Sequence, residues 1–158
     1  MNKENSEIFV RSADNKDCAN VQKLVFEVLR EYGLQPDLAK TDRDLADLEA
    51  NYINRGGVFE ILEDAQGNLL GTVGLYPVDG ATVELRKMYF AKTLRGRGFG
   101  KITLRRMIET AREAGFNKIY LETASVLKEA VGLYQSFGFE PTCEKHTARC
   151  DQAFFLNL

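Results

Sequence analysis

The sequence has little of what several classes of protein need. Its 158 residues include 1 histidine and 3 cysteines, and Cys18, Cys143 and Cys150 form no CxxC pair. No spacing of histidine, cysteine and carboxylate residues predicts a metal site. A Ser-His-Asp or Cys-His mechanism would have to use His146, for which a surface or hydrogen-bonded role is the simpler expectation. An odd number of cysteines without a pairing motif predicts reduced thiols in a cytosolic protein.

Signals for secretion, for membranes and for nucleic acid are also missing. The start, Met1 to Asn5, lacks the apolar core of a signal peptide, and no apolar run approaches the length of a transmembrane helix. The net charge of −2 and the pI near 5.6 argue against a basic surface for nucleic acid over the whole chain. We therefore expect a cytoplasmic protein that binds neither membranes nor nucleic acid, and any basic site must be local.

What is present is the composition of an ordinary globular protein, with 44% hydrophobic and 28% charged residues. A chain of this length can bury one sizeable core and is too short for two substantial domains. We expect one domain over residues 1–158, without internal repeats, low-complexity tracts or linkers.

Hydrophobic periodicity and turn residues predict the element order β-α-α-β-β-β-α-β-α-β-β. Strands are expected at 8–11, 58–63, 69–76, 83–90, 119–121, 139–144 and 153–158, with turns at 65–68 and 77–80. Helices are expected over 21–29, from a capped start at 41–44 to Gly56-Gly57, from the glycine-rich segment after residue 95 to Gly115, and over 127–137. This order predicts an α/β (α+β) fold with a mixed sheet and one parallel crossover.

The segment Arg95-Gly96-Arg97-Gly98-Phe99-Gly100-Lys101 connects a predicted strand to a predicted helix. Glycines there allow a close approach of the backbone to a ligand, and amides at a helix start beside basic residues favour phosphate groups. The Walker A spacing fails because Ile102 follows the lysine. A dinucleotide fingerprint fails because GxGxG replaces GxGxxG outside an early βαβ unit. A plain glycine-rich turn with surface arginines remains the structural alternative.

In the spacing Arg95-x-x-Gly98-x-Gly100 the sequence resembles the GNAT superfamily of acyl-CoA-dependent N-acyltransferases. The run 84–90 is similar to the central strand of that family. The run 130–139, Ala-x-x-Leu-Tyr-x-x-x-Gly-Phe, is similar to its next signature. The two motifs occur in the family's order with a strand between them. The resemblance implies a GNAT-like, mostly antiparallel central sheet flanked by helices.

The resemblance also implies acetyl-CoA as the acyl donor, without a metal. The loop amides would hold its pyrophosphate, and the backbone of β-strand residues before the loop would hydrogen-bond its pantetheine arm. A main-chain N–H of the same strand could polarise the thioester carbonyl. The implied cofactor-binding residues are Met88, Tyr89, Phe90, Arg95, Gly96, Arg97, Gly98, Phe99, Gly100 and Lys101. For the side chains of the first three, packing in the sheet is the expectation.

Two residues are candidates for the proton transfers. By resemblance, Tyr134 is the acid that protonates the departing thiolate. Glu84 interrupts an apolar strand and is the candidate base or amine-binding carboxylate; Glu122 and water remain alternatives, and either glutamate could simply pair with a neighbouring cation. Many relatives carry an asparagine seven residues before the helix tyrosine, where this chain has Leu127, so that contact with the cofactor is not expected.

The acceptor is the least determined part. The acidic run 42–49 could attract a cationic amine, although acidic residues are also normal at a helix start. The polar loop 145–151 could border the acceptor, with Arg149 clamping a carboxylate. We expect an N-acetyltransferase acting on a small-molecule or peptide amine. A non-catalytic acyl-CoA sensor and a nucleotide-phosphate binder are the alternatives, and a homodimer is left open.

Overall fold

The structure, a computed structural model, describes residues 7–158. Its strands are β1 (Phe9–Ser12), β2 (Val58–Glu63), β3 (Leu69–Pro77), β4 (Thr82–Phe90), β5 (Lys118–Thr123), β6 (Glu140–Thr142) and β7 (Gln152–Asn157). Its α-helices are α1 (Cys18–Glu31), α2 (Leu48–Asn51), α3 (Phe99–Glu113) and α4 (Lys128–Ser136). Short 3-10 turns lie at Asn15–Asp17, Arg43–Ala46, Ile53–Arg55 and Lys92–Leu94.

The strands form one seven-stranded sheet in the order β1-β2-β3-β4-β5-β7-β6. Every neighbouring pair is antiparallel except β4 and β5, which are parallel. A parallel pair needs a long crossover, and the chain supplies it through the glycine-rich loop and α3. The predicted mixed, mostly antiparallel sheet flanked by helices is confirmed.

Apolar side chains bury both faces of the sheet. One core joins α3 and α4 to the central strands, and its fully buried members include Val73, Val83, Leu104, Met107 and Ile119. The other joins α1 to the segment before β2, with Val21, Val25, Leu45, Leu48 and Phe59. The i, i+3, i+4 spacing of the apolar residues in α1 and α3 gives each helix one buried stripe.

The helix predicted from 41–44 to Gly56 is wrong in its extent. The chain instead makes the 3-10 turn at Arg43–Ala46, the four-residue α2 and a second 3-10 turn. Asp47 is extended, and its side chain caps α2 by accepting a hydrogen bond from Ala50 N at 2.9 Å. Asp42 and Asp44, predicted at an exposed helix start, are buried. Their carboxylates are hydrogen-bonded inside the protein, and the segment bends to bring them there.

Three further observations concern the described residues 7–158. No helix among them is long and apolar enough to cross a membrane. Among them, no group of three or more His, Cys, Asp or Glu side chains is placed to hold a metal ion. Cys18, Cys143 and Cys150 are free thiols.

Candidate active site

Strands β4 and β5 separate after a short parallel contact. They pair only from Thr82 with Lys118 to Glu84 with Tyr120, while β4 continues to Phe90. Beyond Glu84, β4 is hydrogen-bonded to β3 on one side and leaves its other edge open. An open edge offers alternating N–H and C=O groups to an extended ligand. The centre of the sheet therefore contains a slot.

A β-bulge lies in the open part of β4. Gly74 pairs with Arg86 and Thr72 with Tyr89, so Lys87 and Met88 together oppose the single residue between them on β3. Lys87 has a left-handed backbone with φ 55°, and Thr72 Oγ1 donates a hydrogen bond to Lys87 O at 2.7 Å. The bulge shifts the side-chain alternation. Met88 packs on the α3 and α4 side, and Tyr89 packs on the α1 side.

Buried charges hold the bulge in place. Lys87 Nζ lies 2.9 Å from Asp42 Oδ1 and 3.6 Å from Asp44 Oδ1. Arg149 donates from both Nη atoms to Asp42, each at 2.8 Å. Asp44 also accepts a hydrogen bond from the buried Tyr52 hydroxyl. A left-handed, non-glycine residue costs about 1–2 kcal/mol, and this network is what stabilises it here.

The pKa of Asp42 depends on two opposing influences, burial and the contacts with its charged partners. Burial of the side chain, 0% exposed, would raise its pKa, but the hydrogen bonds from Arg149 and the charge of Lys87 outweigh burial. Together with the hydrogen bond from Asp37 N they hold the pKa of Asp42 well below its usual range. Asp42 is therefore a carboxylate that links the segment before α2, the bulge in β4 and the loop before β7.

The glycine-rich loop presents its backbone N–H groups. None of those from Gly96 to Lys101 has a hydrogen-bond acceptor among residues 7–158, and the first helical bond runs from Ile102 N to Gly98 O. Gly98, at φ 83°, caps the start of α3 in a left-handed conformation. A Cβ on Gly100 would lie 3.3 Å from Leu133 Cδ2, so a hydrogen atom there lets α3 pack closely against α4. Free amides at a helix start form a seat for an anion.

A cleft of about 300 Å³, called the smaller cleft below, connects this loop to the open edge of β4. Its walls come from the end of β4, the loop, α4 and the last turns of α1. Every predicted cofactor residue except Arg97 lines it, together with Val28, Tyr32, Leu94, Leu127, Glu129, Ala130 and Leu133. Leu127 adds to a mainly apolar wall.

The side chains of Arg95 and Arg97 form hydrogen bonds within the protein, whereas side chains that bind a phosphate would have to be free. Arg95 donates from Nε to Phe90 O at 3.0 Å and from Nη1 to Glu31 at 2.7 Å. It therefore ties the loop to β4 and α1. Arg97 is exposed, and its Nη1 lies 3.3 Å from Thr93 O. The anion seat depends on backbone amides more than on these guanidinium groups.

A second cleft, the larger cleft, has a volume of about 500 Å³ and mainly polar walls. It is formed by the segment before and through α2, by β3 and β4, by the end of β5 and by the loop before β7. Tyr89 lines both clefts. The two clefts therefore adjoin at Tyr89, next to the bulge in the open part of β4.

The loop between β6 and β7 closes one side of the larger cleft. Glu122 accepts hydrogen bonds from the backbone N–H groups of His146 and Thr147 and from the Thr147 hydroxyl. Asp151 accepts from the backbone and hydroxyl of Ser125 at 2.7 and 2.6 Å. Both oxygens of Glu122 are thus engaged in positioning the loop. Arg149, for which a ligand carboxylate was one possible partner, binds the carboxylate of Asp42 in the same chain.

Tyr134, the predicted acid, lies on α4 with 6% of its surface exposed. Its ring packs against Phe139 and Phe154, with centroid distances of 5.7 and 6.5 Å. Burial, with smaller contributions from Tyr89 and Cys150, raises the pKa of Tyr134 well above its usual value. Leu133 lines the smaller cleft, whereas Tyr134 is a lining residue of neither cleft. The influence of Tyr89 and Cys150 on its pKa places the hydroxyl near both, and burial keeps it protonated.

Glu84, the predicted base, faces the larger cleft at the last residue before the strands separate. Its Oε2 lies 2.9 Å from Arg86 Nη2. Arg86 in turn stacks on the Tyr76 ring, 3.8 Å from the centroid. Glu84 is thus a carboxylate that is paired with Arg86 and lines the larger cleft.

Sequence reasoning missed two groups at the junction. The Tyr89 side chain packs against the core on the α1 side, as expected, but it also lines both clefts, and burial raises its pKa to about 12. Cys150 lines the larger cleft, where burial raises the pKa of its thiol to about 11. The sequence did contain a signal for the changed orientation of Tyr89. The alternation of β4, apolar at Val83 and Leu85, fails at Lys87, as expected for a bulge.

Comparisons with known proteins agree with this geometry. The model of the acetyltransferase (GNAT) family matches residues 23–139. An uncharacterized N-acetyltransferase of Escherichia coli, YjgM, is 37% identical over 130 residues, covering 79% of this chain and 77% of that protein. A GNAT-family acetyltransferase from Staphylococcus aureus superimposes with a TM-score of 0.88 at 24% identity, over 96% and 99% of the two chains. Spermidine N-acetyltransferase from Vibrio cholerae, solved with CoA and spermine, has a TM-score of 0.69 at 21% identity, with 95% of each chain covered.

Proposed function

This chain belongs to the acetyltransferase (GNAT) family, and from that membership we propose that it transfers an acetyl group from acetyl-CoA to a primary amine. The observation that carries the proposal is the meeting of the two clefts at Tyr89. The smaller, mainly apolar cleft suits the donor, and the larger, polar cleft suits the acceptor. A transfer reaction needs both reactants at one point, and Tyr89 marks that point.

The smaller cleft fits acetyl-CoA on two grounds. The backbone amides from Gly96 to Lys101 are free to hold the pyrophosphate. The open edge of β4 at Met88 and Phe90 can hydrogen-bond the pantetheine arm as an added strand. When bound, acetyl-CoA supplies an activated acetyl group as a thioester. We assign a main-chain N–H between Met88 and Phe90, beside the bulge, to polarise its carbonyl.

Protons are handled by groups around the junction. The acceptor must lose a proton to attack, and Glu84 is the carboxylate we assign to bind the amine and receive that proton, directly or through water. Glu122 is less suited, since both its oxygens hold the loop before β7. Tyr134, kept protonated by burial, is assigned as the acid for the departing thiolate.

The proposal also covers the extent of the domain and the location of the protein in the cell. Residues 1–158 act as one acyltransferase domain, because a single sheet takes in strands from Phe9 to Asn157. The protein works in the cytoplasm, a compartment in which its three free thiols would stay reduced.

The test combines ligand binding with turnover. In thermal unfolding, acetyl-CoA and CoA should stabilise the protein by about 2.7 kcal/mol at a hundredfold excess over Kd, while ATP and NAD should have much smaller effects. A panel of amines, followed by release of free thiol from acetyl-CoA, should contain substrates. Absence of stabilisation by millimolar acetyl-CoA would overturn the proposal. Stabilisation without turnover of any amine would leave a donor-binding protein instead of an enzyme.

A further inference from the structure

The charges on the wall of the larger cleft are unequal, and this bears on the acceptor assigned to it under the proposed function. The chain as a whole carries a net charge of −2. On this wall, however, basic side chains outnumber the acidic Asp44, Glu84 and Glu122; they are Lys40, Arg43, Arg55, Arg86, Lys87 and Arg149. A local excess of one sign in a cleft attracts ligands of the opposite sign.

Most of the carboxylate oxygens in the cleft are already engaged. Glu84 is paired with Arg86 at 2.9 Å through Oε2, which leaves its other oxygen for a single amine. Asp44 accepts a hydrogen bond from the Tyr52 hydroxyl and lies 3.6 Å from Lys87 Nζ. Glu122 accepts hydrogen bonds from the loop before β7. An acceptor with several positive charges would therefore meet few free carboxylates here.

Several of the basic side chains are not engaged by carboxylates. Lys87 and Arg149 share Asp42, and Arg86 has Glu84. In the part of the chain from residue 7 onward, Lys40, Arg43 and Arg55 form no ion pair. These three are exposed and enter the cleft from the segment around α2.

Arg55 is the best positioned of the three. Its guanidinium lies over the Tyr76 ring at 4.4 Å from the centroid, and Arg86 lies over the same ring at 3.8 Å. One hydrogen bond, from Nη2 to Pro77 O at 3.1 Å, fixes its orientation. The remaining donors of the planar group are available, and such a fork binds carboxylate or phosphate through two hydrogen bonds.

From these contacts we infer that the acceptor is a primary amine that also carries an anionic group, a carboxylate or a phosphate. The amine points to Glu84 and the junction at Tyr89. Arg55 binds the anionic group, while Arg43 and Lys40 add positive charge at the entrance. A cleft of about 500 Å³ has room for a small molecule of this kind. Polyamines are poor acceptors.

The experiment compares matched amines by kcat/KM. Carboxylate pairs are amino acids and β-alanine against their amides; the phosphate pair is O-phosphoethanolamine against ethanolamine; spermidine represents polyamines. We expect the anionic member to be preferred by at least about tenfold, one decade on the affinity scale, and the preference to shrink at high salt. The two kinds of pair distinguish a carboxylate from a phosphate acceptor.

Variants locate the anion contact. Arg55→Gln should reduce the preference at least about threefold, mainly through KM, while Arg55→Lys keeps the charge without the fork and should keep part of it. Arg112→Gln, which removes an exposed arginine on α3 paired with Glu109, should change nothing. Melting temperatures with acetyl-CoA verify that each variant folds and binds the donor.

The outcomes separate this inference from the proposed function. Best turnover with spermidine or with neutral amines, or no acetylation of any anionic amine, overturns the inference while donor binding stands. An unchanged preference in Arg55→Gln overturns the role of Arg55. Loss of the acetyl-CoA effect itself would instead overturn the proposed function.

Discussion

The two clefts that meet at Tyr89 are built in different ways. The smaller cleft takes most of its wall from β4, the loop after it and one helix, so its chemistry lies in neighbouring residues. The wall of the larger cleft is held by a contact between Arg149 and the buried Asp42, 107 positions apart. The smaller cleft presents mainly backbone amides, whereas the larger cleft is held by a network of charged side chains, most of them buried. Changes to the chain should therefore affect the two clefts differently.

The largest effect should come from Asp42→Asn, which removes the charge shared by Lys87 and Arg149. Two largely buried cations then lack their partner, and we expect a loss of about 3 kcal/mol in the free energy of unfolding. Urea unfolding measures it. Acetyl-CoA should still stabilise the variant, because the smaller cleft does not use Asp42. Glu109→Gln, which breaks an exposed ion pair, should change stability by less than about 0.5 kcal/mol.

The same substitution has a predicted pH dependence. The pKa of Asp42 is lower in the folded protein than its ordinary value of 3.8, so its contribution is fully present above about pH 4 and is lost as the pH falls further. The difference in stability between the wild type and Asp42→Asn should shrink on acidification below pH 4. A difference that is constant or grows would contradict the role of this carboxylate.

The next effect concerns the junction itself. Tyr134→Phe should lower kcat about 100-fold, within the range of general acid catalysis, with little change in the Kd of acetyl-CoA. Packing against Phe139 and Phe154 is retained, so stability should change by less than about 1 kcal/mol. Steady-state kinetics and thermal unfolding measure both. If kcat falls in Tyr89→Phe and not in Tyr134→Phe, the acid is Tyr89 on β4 instead of Tyr134.

The smallest of these effects separates backbone strain from blocked binding. Gly98→Glu and Gly67→Glu place a side chain at φ 83° and φ 79°, and a Cβ at either position has open space around it. Both should destabilise the protein by about 1–2 kcal/mol. Only Gly98→Glu should also raise the Kd of acetyl-CoA, by at least about tenfold or 1.4 kcal/mol. Calorimetric titration of acetyl-CoA measures it, and equal affinities would show that the loop amides are not the phosphate seat.

Much of the fold was predictable because local patterns decide it. The stripes of α1 and α3, the turn at 65–68 and the alternation at the start of β4 are short-range features, and the structure has all of them. The element order and the parallel pairing of β4 with β5 followed. The helix predicted through Asp42 and Asp44 was wrong. In the sequence these residues resemble helix caps, but in the structure they bind Tyr52 and two residues that are distant along the chain, Lys87 and Arg149.

The two clefts of the candidate site also differ in how far the sequence alone could predict them. The sequence by itself determined the glycine-rich loop and the strand before it, since the amides that form an anion seat belong to consecutive residues. It did not determine the larger cleft. Only the tertiary structure decided that Arg149 binds Asp42, that Glu122 holds a loop, and that a bulge at Lys87 turns Tyr89 into the junction. The physical reason is that the positive electrostatic field at a helix start comes from the backbone amides of consecutive residues. A buried charge, in contrast, contacts a partner that is distant along the chain, and the two meet only in the folded protein.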